Sequence, residues 1–183
     1  MTTSPEELVS SFYSIVSERG ITALPDYIHS ADLTKFKKAM IPAYELIFAS
    51  GNDAEILGDF THGDTFEQVQ NYSPKMFFSR FLNSAKGHIP QIQEILDQTT
   101  IKPIGHIMEN VEGDEVIHVV YRKSYTVEGI GVSDLSVVSL QQDGDDVWKL
   151  LFTSDMKLII KALEKRLKPS EVSNEETKAV NPK

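Results

Sequence analysis

Two stretches carry most of the side chains with chemical potential: Val116–Tyr125 (VIHVVYRKSY) and Asp143–Phe152 (DGDDVWKLLF). The first offers His118 and Arg122. A neutral imidazole accepts a proton near neutral pH, and a guanidinium clamps a carboxylate or phosphate through two parallel hydrogen bonds. The second offers Trp148, a large flat apolar surface. Tyr44, in a helical stretch, adds a hydroxyl. His118, Arg122, Trp148 and Tyr44 are therefore the candidate ligand-binding residues, and none is assigned as catalytic.

The other chemistry-bearing residues read as structural. The five histidines are His29, His62, His88, His106 and His118. His62-Gly63-Asp64 gives two donors in a loop, too few for a metal, and no HExxH stands anywhere. His106 and His118 fall on adjacent strands and converge only if the register between them is even. Asp143–Asp146 (DGDD) lacks the later ligands of a calcium loop and suits a hairpin turn better. No phosphate-binding glycine loop or GxSxG is present, and no Ser-His-Asp set emerges from spacing. No metal and no cofactor are expected.

Composition narrows the partners. Lys and Arg total 18 against 27 Asp and Glu, a formal charge of −9. A nucleic-acid backbone or an anionic membrane as main partner needs a basic footprint, so neither is expected. Lys35, Lys37 and Lys38 form the densest basic run and read as a solvated helix face. With no cysteine, disulfides and thiolate chemistry are excluded. Met1–Glu7 shows neither the basic nor the apolar part of a signal peptide, and no apolar run reaches the ~18 residues of a membrane span. A cytoplasmic protein is expected.

The elements that must position these residues follow from periodicity and punctuation. Ser4-Pro5-Glu6-Glu7 is a capping box with proline at the first helical position, and Gly20 closes that helix. Its stripe of Leu8, Val9, Phe12, Tyr13, Ile15 and Val16 should lie on a sheet. Ser30 caps a second helix, which Pro42 kinks or splits on the way to Gly51. Residues 51–65 form a loop, and Phe66–Asn71 one helical turn. Ser73-Pro74 starts a helix running to about Ala85, with Gly87 as its stop. Its Phe77, Phe78 and Phe81 read as core. Pro90–Asp97 holds a short helix.

Four antiparallel strands follow, at Ile101–Asn110, Glu115–Val127, Val132–Gln142 and Asp146–Thr153. A last helix starts at Ser154 or Asp155 and runs to about Leu167. The domain covers residues 1–168, and the polar stretch 169–183 reads as a disordered tail.

Register decides what faces the helices, because a slip of one residue turns every side chain over. With Asp143-Gly144 as a two-residue turn, Trp148 opposes Ser139 and Leu150 opposes Val137. Leu135, Val137, Trp148, Leu150 and Phe152 then face the helices. Asp134, Val138 and Leu140 face outward. A two-residue turn near Gly129 adds Val116, His118, Val120 and Arg122 to the inner face. A three-residue turn there would send Ile117, Val119, Tyr121 and Tyr125 instead. The two-residue turn is preferred.

This pattern resembles the cystatin-like α+β cone of nuclear transport factor two, the SnoaL-like cyclases and ketosteroid isomerase. The resemblance rests on Val116–Tyr125, Asp143–Phe152, His29–Phe36 and Ser73–Leu82, and covers residues 4–153. It implies an α+β fold in which N-terminal helices pack on a curved antiparallel sheet (a cone), here with an added C-terminal helix. It further implies an apolar pocket inside the cone and a homodimer through the outer sheet face. The enzymes of this group place an Asp or His base in that pocket. The inner face as read here holds no carboxylate on its last two strands. The leading expectation is thus non-catalytic binding of a small, partly apolar ligand, with an anionic group as an option because of Arg122. The alternatives are an isomerase, dehydratase or cyclase using His118 as base, and a protein-interaction module with a filled core.

Overall fold

A computed structural model describes residues 4–50, 64–88, 97–127, 129–144, 147–154, 156–158 and 160–161. Four strands, β1 (Thr100–Val111), β2 (Asp114–Val127), β3 (Ile130–Asp143) and β4 (Val147–Leu150), form an antiparallel meander in the order β1-β2-β3-β4. The chain is an α+β protein, as expected, with its helices before the sheet and a short helix after it. Each turn carries a glycine at positive φ, where a side chain would be strained: Gly113 at 99°, Gly129 at 80° and Gly144 at 66°.

The second turn has the expected length. Val127 pairs with Ile130, leaving two residues between. The third does not. Asp143 pairs with Val147, so three residues, 144–146, separate the paired positions, and Trp148 opposes Gln142 rather than Ser139. Asp143 stays in the strand because its carboxylate is already engaged: it accepts from Ser30 N (2.8 Å) and Ser30 Oγ (2.7 Å). The added turn residue reverses the expected faces of β2 and β3. Leu135 is 65% exposed and Val137 53%, whereas Val138 is 8% and Leu140 2%. Ile117, Val119 and Tyr121 join Leu140, Leu150 and Phe152 in the core. His118 and Arg122 point to the outer side, away from Trp148.

The helices follow their caps. Helix α1 (Pro5–Arg19) has the full capping box between Ser4 and Glu7, and ends at Gly20 with φ 81°. It packs on β1 and β2 and buries Val9, Phe12 and Val16. At its start, Glu6 meets His106 of β1 at 2.7 Å, and that hydrogen bond holds the Glu6 carboxyl below its usual range. A 3-10 helix (Ile21–Asp26) leads to Tyr27–His29, which pairs with the free edge of β4: His29 N donates to Leu150 O, and Leu150 N to Tyr27 O. This single bridge covers the β4 edge at Leu150.

Helix α2 (Ser30–Ser50) runs unbroken through Pro42. Its cap is His29, not Ser30: the His29 carbonyl accepts from Leu33 N and its ring from Ala31 N. Helix α3 (Phe66–Asn71) has its own capping box at Thr65 and Gln68. Lys37 holds α3 to α2 by donating to the carbonyls of Gln70 and Tyr72, so it is not part of a free basic patch. Helix α4 (Pro74–His88) extends past Gly87. It packs on α2, with Phe36 at 5.0 Å from Phe78 and 4.9 Å from Phe81, ring centre to ring centre, both edge-on.

The C-terminal helix begins at Ser154 and is described to Lys161. Most of the expected loop at 51–65, most of the short helix at 90–97, and the tail at 169–183 lie outside the described residues. Among the described residues, no helix is long and apolar enough to cross a membrane.

Candidate functional site

A cavity of about 280 Å³ lies between the inner face of the sheet, α1, the 3-10 helix and α4. Its wall is almost entirely apolar. Phe12, Leu24 and Ile28 supply one side, Phe78, Phe81 and Leu82 another, and Val138, Leu150 and Phe152 the sheet side, with Met156 of the C-terminal helix at the rim. The volume suits a compact small molecule at the lower end of common ligand pockets.

Besides Thr153 at its sheet end, a pair of tyrosines interrupts this wall. Tyr13 of α1 and Tyr121 of β2 meet hydroxyl to hydroxyl at 2.6 Å, with ring centres 5.5 Å apart. Burial pushes the Tyr13 phenol well above its usual range, and the bond to Tyr121 adds to this. Tyr13 is therefore a neutral hydroxyl at any physiological pH. Of two hydroxyls in one bond only one proton is spent, so the pair retains a donor for a ligand oxygen. Among the described residues, the wall holds no carboxylate, no histidine and no cation. In chemical terms the site solvates a carbonyl or hydroxyl inside an apolar cage.

The four residues singled out from sequence are not at this cavity. Trp148 is on the same face of the sheet but packs against the rim of the core. Tyr44 is buried on α2 with its ring edge-on to Phe77, 5.4 Å away, and burial raises its phenol. Arg122 is exposed on the outer face. His118, also outward, sits between Ser139 Oγ (2.9 Å) and Glu109 Oε2 (3.1 Å). His106 pairs with Val119 and so lies on the opposite face from His118, and the two do not converge. His62 falls outside the described residues. Among those that are described, no group of three His, Asp or Glu side chains is placed to hold a metal.

Asp134 has the parity of the inner face, contrary to the expected register, but it is exposed and accepts from Tyr125 Oη instead of lining the cavity. Among the described residues, the buried carboxylate is Asp32, 4% exposed. It accepts from Phe152 N at 2.8 Å and ties α2 to the end of the sheet.

Sequence reasoning missed the tyrosine pair. Tyr13 belongs to the apolar stripe of α1, and the expected register puts Tyr121 on the outer face. The available signal was a hydroxyl on each of two core-facing positions of elements expected to pack.

No family model matches the chain, and neither a curated protein nor a solved structure matches it. The fold and the cavity are thus the whole basis for a functional reading.

Proposed function

We propose that this protein binds a small, neutral, largely apolar molecule in the inner cavity and does not transform it. The reading is supported above all by the 280 Å³ apolar cage with a single tyrosine pair in its wall. It is in keeping with the cone resemblance, whose pockets take small organic ligands. The anionic option loses its anchor, since Arg122 faces away. A base in the cavity loses its residue too, since His118 is on the other side of the sheet. The ligand is therefore an apolar skeleton with one carbonyl or hydroxyl.

A thermal-shift panel of cyclic ketones, alcohols, carboxylates and alkanes of similar size tests this. Ketones and alcohols should raise the midpoint and be recovered chemically unchanged. A panel in which only carboxylates stabilise, or in which the ligand is converted, would overturn the reading.

For partners, the proposal is a homodimer through the outer face, where Ile107, Leu135 and Val137 are all more than half exposed. Sedimentation equilibrium decides it: a monomer that turns to a dimer only when Leu135 is intact supports the proposal, and a monomer at all concentrations contradicts it.

A further inference from the structure

The outer face of the sheet holds a second, polar cleft of about 470 Å³. It is bounded by the start of α2, the turn after β1 and Lys157 of the C-terminal helix, and both His118 and Ser139 line it. Through these two residues runs a hydrogen-bonded chain across three adjacent strands: Ser139 Oγ to His118 Nδ1 at 2.9 Å, then His118 Nε2 to Glu109 Oε2 at 3.1 Å.

The directions within this chain follow for a neutral ring beside an ionised carboxylate. An ionised carboxylate only accepts, so Nε2 carries the hydrogen that Glu109 receives. A neutral ring then leaves Nδ1 bare, and the Ser139 hydroxyl must donate to it. That is the tautomer a general base needs, and Glu109 is the group that selects it. Ser139 is the cross-strand partner of His118, on a regular stretch of β2–β3 pairing, so the sheet sets these two side by side, while Glu109, 64% exposed, reaches the ring from β1. His118 is largely covered, with a quarter of its side chain exposed, while the cleft gives the hydroxyl room for a reactant.

We propose that this cleft is a second site, in which Ser139 is a nucleophile toward the acyl carbon of a small carboxylic ester. Ser139 Oγ adds to the ester carbonyl as its proton passes to His118 Nδ1. The ester C–O bond then breaks, and the alcohol leaves with that proton, giving an acyl-serine. Water, deprotonated by the same nitrogen, adds to the acyl carbon and releases the acid with Ser139 restored. No oxidant or further reactant is needed. Among the described residues, Lys35 and Lys157 line the cleft together with the carboxylates of Asp32, Glu112 and Asp114; Lys35 is 3.7 Å from Asp32, which leaves Lys157 as the cation offered to the oxygen that becomes negative during addition. The site is on the opposite face of the sheet from the inner cavity and does not rest on the ligand-binding reading.

The test uses the intact chain, nitrophenyl acetate and a fluorophosphonate. The expected result is one phosphonyl adduct per chain, on Ser139. Nitrophenol release should fall at least about a hundredfold in Ser139→Ala, the scale of a lost nucleophile-and-base step. Glu109→Gln should keep the adduct site but slow labelling about tenfold, which separates a positioning role from the reaction itself. Labelling of another residue, or no labelling of the folded chain, would overturn the proposal. So would a Ser139→Ala protein that releases nitrophenol at the wild-type rate.

Discussion

Asp143 and Ser30, 113 positions apart in the chain, are joined by two hydrogen bonds: the backbone N–H and the hydroxyl of Ser30 each donate to one carboxylate oxygen of Asp143. This clamp binds the end of β3 to the first turn of α2, where a negative charge also meets the positive end of the helix dipole. It keeps Asp143 in the ladder and so lengthens the third turn. Through that turn it decides which side of β3 is buried.

Removing the clamp should destabilise the protein. Asp143→Ala takes away a cap contact worth ~1 kcal/mol. Urea unfolding at neutral pH should show the midpoint falling at an unchanged slope. An unchanged midpoint would mean that the clamp is dispensable.

The same clamp gives a pH dependence. Burial alone would raise the Asp143 carboxyl, but the Ser30 hydrogen bonds and the charges of His29 and Lys149 outweigh it and hold the group below its usual range. A carboxyl depressed in the folded state stabilises above its unfolded value, ~3.9. That contribution is lost as pH falls through the lower folded value. Between neutral and strongly acidic pH, the wild type should therefore lose more stability than Asp143→Ala. Parallel losses in the two proteins would contradict this.

The register itself can be read with single cysteines, since the chain has none of its own. A thiol at Leu135→Cys should react with a maleimide at close to the free-thiol rate. A thiol at Leu140→Cys should be protected by orders of magnitude, because Leu140 is 2% exposed. The reverse order would restore the two-residue Asp143-Gly144 turn.

The aromatic core between α2 and α4 should be the costliest place to cut. Phe36 is 1% exposed and touches the rings of Phe77, Phe78, Phe81 and Phe152. Phe36→Ala should cost ~3–5 kcal/mol, from lost transfer energy and from the cavity left behind. Chemical denaturation measures it, and a loss under ~1 kcal/mol would mean that this region is not tightly packed.

Much of the fold was legible in the sequence, because its signals are local. Ser4 and Glu7 cap α1 without help from the rest of the chain, and Gly113, Gly129 and Gly144 mark turns that need positive φ. Three phenylalanines in one helix announced a core. The site was not legible, for a non-local reason. Asp143-Gly144 is strong hairpin chemistry on its own, but Ser30 recruits the aspartate and the turn takes one more residue. One residue is one face. His118 and Arg122 therefore moved outward, and Tyr121 turned inward to meet Tyr13. Glu109, His118 and Ser139 are 9 and 21 positions apart, and only the strand pairing brings them into one chain.

The inner cavity is the heart of the functional proposal, and one titration addresses it. Naphthol is neutral at neutral pH, apolar over two rings, and carries one hydroxyl for the Tyr13–Tyr121 pair. Its fluorescence should saturate at one molecule per chain for the wild type. Leu24→Trp, which fills the cavity from the 3-10 helix, should weaken binding at least about tenfold, which is ~1.4 kcal/mol. The folded state of that variant is checked by circular dichroism. Equal affinity in the two folded proteins, or no saturable binding to the wild type, would contradict the inner cavity as a ligand site.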